Sequence, residues 1–429
     1  MSRQQFLFAC AALLAGCGGA SRRPTASFGT GTGYDGPPVT LDFWNGFTGG
    51  DGPQMLALVE AFEKQHRNVR VRMVTSRWED FYTKLPAAVA SGQGPDLALM
   101  HVDQIPTNAE HGTILALDDL VRDLGLREQD FAAPVWRAGA YQGRRYGVPL
   151  DMHPIGLYAN TQVLEKAGLD PKRLPETRDE YEAALEELKG KGIQGHWVTP
   201  FFFTGGHQFM SLLWQFGGEL TDPAATRATW NSDAGVEALE WLRSLIKRGY
   251  SPRNVGQDAD SIAFKNGQNA FIWNGAWAIG DYGSTEGLKW TLAPLPRIGS
   301  EKAAWSNSHN FTVMRQSSPD ENRLRAAKVL IDTITKSPAW AEAGQIPARR
   351  SARESPAFRK LEAQSRLAEQ VPDLRFAAAA PGLSDVREAT LDIAIAQAVN
   401  GSQTVRHALD DSARRANELL RLNREKYAT

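Results

Sequence analysis

The chain has 429 residues, a length that predicts two or more domains with room for a sizeable core. With 42% hydrophobic and 23% charged residues, the composition excludes a wholly disordered chain. The 48 Lys and Arg residues nearly balance 49 Asp and Glu residues, so the strong positive charge of nucleic-acid-binding domains is missing and no nucleic-acid partner is expected. Trp (12) outnumbers Tyr (9), which favours a flat or ring-shaped ligand, although many of these side chains must belong to the core.

The first residues predict export. Arg3 precedes a short apolar block, residues 6–15, which is too short to span a bilayer as a helix and is typical of a secretory signal. The block ends in Leu14-Ala15-Gly16-Cys17, which resembles the cleavage box of bacterial lipoproteins. We therefore expect residues 1–16 to be a lipoprotein signal peptide and Cys17 to carry the lipid that anchors the mature protein outside the cytoplasm. A plain signal peptide or a buried N-terminal helix is the alternative.

The N-terminal region also bears on cysteine chemistry, on a predicted tether and on a possible dinucleotide-binding motif. Cys10 leaves with the signal, so this interpretation leaves no thiol for a disulfide, a metal site or a nucleophile. Residues 17–38 are rich in Gly, Ser, Thr and Pro, a composition that predicts a flexible tether. A glycine pattern at residues 31–36 matches dinucleotide-binding loops, but Pro residues and then a strand follow it where a helix is required, so we reject it.

After the tether, strands and helices alternate. Residues 39–44 alternate apolar and polar side chains as a strand does, Pro53 opens a helix, and residues 69–73 form a second strand. Residues 78–89 make another helical face, and residues 96–102 a third strand. This order predicts a parallel sheet flanked by helices, in which ligands lie beyond the carboxyl ends of the strands. Residues 44–48 and 100–103 are therefore placed at a candidate site.

In the rest of the chain, the sequence predicts where several further helices begin. Thr177 and Glu180 form a capping box, Asp233 is expected to cap a second helix, and Pro319 is expected at the first position of a third. Residues 386–420 again show helical spacing. We find no fixed-period repeat, which argues against solenoids and propellers.

Six segments in order resemble the extracellular solute-binding proteins of bacterial ABC importers, specifically the family that binds sugars and oligosaccharides. The matching segments are residues 42–50, 58–63, 82–96, 146–160, 263–277 and 346–349. Ala159 departs from the family, which more often has Tyr there. No one segment is specific, but their shared order is.

The resemblance implies an α/β, two-lobed periplasmic-binding-protein fold of type II, each lobe a mostly parallel sheet flanked by helices. Lobe 1 would comprise residues 39–150 with 310–345, and lobe 2 residues 151–309 with 346–429. The ligand would lie in the cleft, and hinge closure would bury it. The implied partners are a sugar or oligosaccharide, the transmembrane subunits of an ABC permease and, through the lipid, the membrane; the protein is expected to be a monomer without a cofactor.

A sugar needs aromatic faces for its C–H groups and fixed donors and acceptors for its hydroxyls. The residues expected to contact it are Trp44, Asn45, Trp78, Met100, Asp103, Asp151, Trp214, Trp277, Asn307, His309 and Arg349. Each has a structural alternative: core packing for the Trp side chains, helix caps or hinge ion pairs for the two Asp side chains, a structural hydrogen bond for His309, and solvent exposure for Arg349.

Other functions fit the sequence less well. A glycosidase needs two carboxyl groups about 5–10 Å apart, whereas the adjacent acidic pairs on helices point apart. The eight His residues include no pair four apart with a helix-borne Glu, and no Gly-x-Ser-x-Gly occurs, so neither an enzyme nor a metal site is expected. The same fold with another solute, such as glycerol phosphate or a polyol, is the nearer alternative. A purely structural lipoprotein would have no use for hinge segments.

Overall fold

The computed structural model describes residues 28–201 and 204–427. The predicted signal peptide and the predicted lipidation site, Cys17, lie outside the described residues. The strands formed by the described residues are β1 Val39–Asn45, β2 Val69–Thr75, β3 Leu97–His101, β4 Ala140–Tyr141, β5 Arg144–Arg145, β6 Val148–Pro149, β7 Asp151–Asn160, β8 Phe271–Gly275, β9 Trp290–Ala293, β10 Ala304–Asn307, β11 His309–Val313, β12 Ile346–Pro347 and β13 Leu374–Arg375.

The α-helices of the same residues are α1 Asp51–Gln65, α2 Trp78–Ala90, α3 Ile105–Glu110, α4 Asp118–Asp123, α5 Ala133–Ala138, α6 Thr161–Ala167, α7 Arg178–Gly190, α8 Thr204–Gln215, α9 Asp233–Lys247, α10 Ala259–Lys265, α11 Ala278–Ser284, α12 Glu321–Lys336, α13 Arg350–Arg353, α14 Pro356–Arg359, α15 Glu362–Leu367, α16 Leu383–Val399 and α17 Val405–Tyr427. Short 3₁₀ helices cover Val102–Gln104, Glu128–Asp130, Pro338–Ala343 and Ala368–Asp373. None of the helices in the described ranges is long and apolar enough to cross a membrane.

The first sheet contains the strands predicted at the start of the chain. Its order is β2-β1-β3-β11-β6, and β1 pairs in parallel with β2 and β3, as the alternation of strands and helices predicts. β11 returns from a distant part of the sequence and pairs antiparallel with β3 and β6. Phe311 of β11 stacks on Phe43 of β1 with ring centroids 5.9 Å apart, which joins the returning strand to the same core.

The second sheet is built around β7, whose ten residues are all buried. β7 pairs antiparallel with β8, β9, β10 and β12, whereas β10 pairs in parallel with β13. The prediction of a mostly parallel sheet in each lobe is corrected here. The chain leaves the first sheet through β6 and β7 and returns through β10 and β11, so the outgoing and returning strands lie side by side in opposite directions. A fully buried run of residues has the same sequence pattern in both arrangements.

The helix boundaries test the predicted caps. Thr177 and Glu180 form the expected capping box, with both reciprocal hydrogen bonds present. The cap of α9 is Ser232, which accepts from the N–H of Gly235, so the prediction of Asp233 is wrong by one residue. The cap of α12 is Asp320, which accepts two backbone N–H groups; Pro319 therefore precedes the helix.

Part of the predicted tether is packed. Phe28 lies in the core at 1% exposure, and the hydroxyl of Tyr34, also buried, donates to the carbonyl of Pro37 at 2.6 Å. Lys328 donates to the carbonyl of Gly29 at 2.7 Å. The prediction of a flexible tether over residues 17–38 is therefore corrected for the described residues 28–38, because two aromatic side chains bury apolar surface that composition alone did not weigh.

Candidate functional site

A cavity of about 780 Å³ lies where the two sheets meet. This volume is in the range of pockets that hold small organic ligands. Its walls include side chains from strands of both sheets, from α1 and α2, and from α8 and α16. The lining residues are Thr48, Asp51, Arg77, Trp78, Glu79, Tyr82, Thr83, His101, Asp103, Gln104, His153, His207, Met210, Leu220, Trp230, Gln257, Trp277, Trp305, Asn307, His309, Gln345, Ala377, Ala378, Leu383, Ser384, Asp385, Arg387 and Glu388.

Aromatic rings form two parts of the wall, one beside each sheet. On the side of the first sheet, Trp78 opens α2 and stacks on Tyr82, with ring centroids 5.7 Å apart and planes at 20°. On the side of the second sheet, Trp277 meets the ring of Trp305 edge-to-face at 6.3 Å. Both Trp78 and Trp277 are half-buried, so each keeps part of its ring available to a molecule in the cavity.

A glycine lies directly beneath each of these tryptophans. A Cβ atom on Gly46 would come within 2.0 Å of the Trp78 ring, and one on Gly275 within 2.1 Å of the Trp277 ring. Any side chain at either position would push the indole out of place, because a Cβ atom cannot approach a ring that closely. The two glycines therefore leave the space that the two rings occupy.

The floor of the cavity is a network around a buried carboxylate. Asp151 is fully buried and accepts from His309 Nδ1 at 2.7 Å, from Trp340 Nε1 at 2.7 Å, from the N–H of His309 at 2.9 Å and from His153 Nδ1 at 3.2 Å. Burial alone would raise the pKa of Asp151, but the charge of His309 and the donated hydrogen bonds outweigh it and lower that pKa. Asp151 therefore remains ionised and fixes the orientation of both imidazoles.

Two hydrogen bonds join the helical segment that follows β3 to the start of α16, at the edge of the cavity. Ser384 donates to Asp103 Oδ2 at 3.1 Å, and the N–H of Gly382 donates to Thr107 Oγ1 at 2.9 Å. Both bonds connect segments that are more than 270 residues apart in the chain. They hold α16 against the segment that follows β3.

The structure brings five of the predicted site residues to the cavity wall. These are Trp78, Asp103, Trp277, Asn307 and His309. Asn307 also has a structural role, because its Oδ1 accepts from the N–H groups of Ser308 at 2.8 Å and Val102 at 3.2 Å.

The structure does not bring the other six to the cavity wall. Met100 is fully buried, because its side chain points to the opposite face of β3 from that of His101. Trp44 packs against the core cluster that contains Met100. Asn45 uses Oδ1 to accept from the N–H of Phe47 and from Thr75, each at 3.1 Å, and so shapes the turn that presents Thr48. Asp151 lies one layer behind the cavity, where it acts through the histidines.

Trp214 and Arg349 are committed elsewhere in the fold. Trp214 is 3% exposed in the second core and donates from Nε1 to Glu219 at 3.1 Å. Arg349 donates to Asp332 Oδ1 at 2.9 Å and to Thr335 at 3.2 Å, so its guanidinium forms a buried ion pair. The prediction that these two side chains reach the cleft is corrected by these contacts.

Sequence reasoning missed several wall residues. Trp230 and Trp305 are absent from the predicted set, yet both line the cavity, and the rings of Trp305 and His207 stack with centroids 3.5 Å apart. His101 and His153 lie in buried strands, where successive side chains point to opposite faces. The sequence alone does not tell which face of each strand borders the cavity, so it does not indicate these two residues. Tyr82 lies one helical turn after Trp78, and that spacing could have indicated it.

Comparison with known proteins defines the class to which this molecule belongs. Residues 48–339 match the bacterial extracellular solute-binding proteins, and the chain therefore belongs to that family. It is 23% identical over 378 residues to the galactooligosaccharide-binding protein of Bacillus subtilis (strain 168), a match that covers 83% of this chain and 84% of that protein.

Solved structures show the same fold. The cyclic alpha-maltosyl-1,6-maltose binding protein from Arthrobacter globiformis matches with a TM-score of 0.77 and 25% identity, over 89% of this chain and 99% of that chain. UgpB from Mycobacterium tuberculosis, in complex with glycerophosphocholine, matches with a TM-score of 0.76 and 20% identity, over 92% and 100% of the two chains. The architecture is thus the two-lobed, type II periplasmic-binding fold.

Proposed function

We propose that this protein captures a neutral sugar or oligosaccharide in the cavity and delivers it to the transmembrane subunits of an ABC importer. The observation that carries the proposal is the pair of half-exposed indoles in the wall of one cavity, Trp78 on α2 and Trp277 just after β8, together with the polar side chains that line the same cavity. The C–H face of a pyranose stacks on such rings, and its hydroxyls need fixed polar partners. The names of the B. subtilis and A. globiformis relatives support the same class of ligand.

The charges of the cavity wall favour a neutral ligand over a phosphate ester. Two arginines line it, against five carboxylates, and Arg387 donates to Asp392 at 3.0 Å. A phosphate would need several converging cations or helix N-termini, and the acidic wall would repel it. Carboxylates suit hydroxyl donors instead. The complex of UgpB with glycerophosphocholine is the reason to consider a glycerol phosphate for this fold. The acidic wall makes such a ligand the weaker alternative to a sugar, and an uncharged polyol the stronger one.

Closure of two lobes around the ligand is the mechanism that we propose. Lobe 1 would comprise residues 39–150 with 309–345, and lobe 2 residues 151–308 with 346–427; His309 moves to lobe 1 because it lies on β11. A ligand that touches Trp78 in one lobe and Trp277 in the other favours the closed state by the contacts that the open state lacks. The bonds of Asp103 with Ser384 and of Thr107 with Gly382 would form on closure.

We further propose that the protein acts as a monomeric binding protein without catalysis, held outside the cytoplasm by a lipid on Cys17. Membership in an extracellular solute-binding family and the Leu-Ala-Gly-Cys sequence support this location. Replacing Cys17 by Ser should release the protein from the membrane fraction of a bacterial host. A variant that still co-sediments with membranes and still incorporates a labelled fatty acid would contradict the anchor.

Isothermal titration calorimetry tests the ligand class directly. The tag-free protein would be titrated with neutral oligosaccharides, monosaccharides, polyols, glycerol phosphates and amino acids. We expect a neutral oligosaccharide to bind with a Kd near 1 µM, equivalent to about −8 kcal/mol. Saturable binding of a phosphate ester, with no binding of any uncharged sugar or polyol, would overturn the proposal. Release of reducing sugar during the titration would contradict a purely binding role.

A further inference from the structure

Three histidines meet on the cavity floor, although no spacing in the sequence links them. His101 ends β3, His153 lies in β7 and His309 begins β11. His101 and His309 are direct partners across the antiparallel pair of β3 and β11. One ring nitrogen from each of the three lies within 4.8 Å of the others.

Nδ1 of each of the three rings has a polar partner. Nδ1 of His153 and Nδ1 of His309 contact the two oxygens of Asp151, at 3.2 and 2.7 Å. Nδ1 of His101 contacts the hydroxyl of Tyr82 at 2.7 Å. Metal-binding histidines are usually oriented in this way, by a carboxylate or another polar group on the nitrogen away from the metal. Because Nδ1 of each ring has a polar partner, we assign Nε2 as the nitrogen that would bind a ligand.

A buried negative charge also lies behind the cluster. Asp151 is fully buried and contacts His153 and His309, so its carboxylate would offset part of the charge of a bound cation.

We propose that His101, His153 and His309 form a binding site for one divalent transition-metal ion of the zinc class, with an open coordination position facing the cavity. Three imidazoles suit Zn²⁺, Cu²⁺, Ni²⁺ and Co²⁺, and a three-His site leaves a position for water or a ligand oxygen. Bonds of about 2.1 Å at tetrahedral angles require nitrogens about 3.4 Å apart, so the rings must approach each other by about 1 Å or a little more.

The location gives the ion a second consequence. His101 and His309 belong to the first sheet, whereas His153 belongs to the second. An ion bound by all three would cross-link the two sheets at their junction and place a positive charge beneath the solute cavity. The site thus goes beyond the sugar-binding proposal and does not depend on it.

Zinc alone is the probe for the test. Calorimetry of the tag-free protein with Zn²⁺ should show one ion per chain with a Kd below 10 µM. The informative variant is His101→Gln, because it removes one ligand while leaving Asp151 with its partners; it should weaken zinc binding at least tenfold. His407→Gln is the matched control. His407 is an exposed histidine 3.4 Å from Asp411 on α17, the kind of surface pair that binds zinc adventitiously, and its loss should change Kd less than twofold.

A measurement on the unaltered protein makes the test independent of variant folding. X-ray absorption of the zinc-loaded protein should show three imidazole nitrogens at about 2.0 Å. Three results would each overturn the proposal. The first is the absence of saturable binding below 100 µM, and the second is binding that His407→Gln abolishes and His101→Gln does not affect. The third is a zinc shell with fewer than three imidazoles.

Discussion

Removing the indole of Trp277 is the sharpest perturbation of the proposed sugar site. The ring lies over Gly275, meets Trp305 edge-to-face and lines the cavity with its remaining face. Trp277→Ala removes that face without changing any charge on the wall. The ring also packs against both main core clusters, so we expect a lower melting temperature in addition.

The size of the effect follows from the area that a stacked sugar would cover. A buried aromatic side chain hides about 150–250 Å², and one face of the indole is roughly half of that. At about 25 cal/mol/Å² the covered face contributes about 2–3 kcal/mol. Because about 1.4 kcal/mol corresponds to a factor of ten, Trp277→Ala should weaken sugar binding by about 30- to 100-fold.

Calorimetry well below the melting temperature of the variant measures this loss. Trp214→Phe is the matched control, since Trp214 is buried away from the cavity and the change should leave Kd within twofold. Gly275→Ala should also weaken binding, because its Cβ atom would displace the retained Trp277 ring. Gly280→Ala, with nothing within 4 Å of the added atom, controls for it. Wild-type affinity in Trp277→Ala would refute the stacking argument.

Two further predictions concern groups outside the cavity. Burial raises the pKa of Asp260 to about 6, so the folded state holds this proton more tightly, and stability should fall as pH rises from about 4 to 6 and then level off. Asp260→Asn should add at most about 3 kcal/mol at pH 7 and little at pH 4, as urea unfolding at both pH values would show; an equal gain at both would contradict this origin. Arg349→Met should cost about 2 kcal/mol by leaving Asp332 with Lys336 as its remaining cation, while sugar affinity stays within twofold. Weaker sugar binding by the folded Arg349→Met variant would indicate that Arg349 contacts the sugar and would contradict its assignment to the ion pair alone.

Local patterns predicted several elements of the fold and the three parallel strands of the first sheet. The alternation in β1 and β2, the helical faces of α1 and α2, and the capping box at Thr177 each depend on neighbouring residues, and all appear in the structure. The antiparallel pairing around β7 did not follow from the pattern, because a strand buried on both faces looks the same whichever way its neighbours run. The burial of Phe28 and Tyr34 likewise could not be predicted, because Gly, Ser and Pro dominate the composition of that segment.

The site was predicted only in part, because its residues come from distant parts of the chain. Trp78, Asp103, Trp277, Asn307 and His309 lie at element ends, where a side chain can reach a cavity. Met100 and His101 are adjacent, and the face of β3 decides which one enters the cavity. The histidine cluster joins strands more than 50 residues apart, so only the packed sheets bring it together. Arg349 shows the converse: a guanidinium suited to a sugar was already paired with Asp332.

A crystal structure of the protein with the oligosaccharide that binds most tightly would show whether the two indoles hold the ligand. We expect a sugar ring stacked within about 4 Å of the Trp277 indole, a second contact with Trp78, and hydroxyls bonded to acidic groups of the wall. Electron density for the sugar outside this cavity, or within it but clear of both indoles, would overturn the proposed mode of binding.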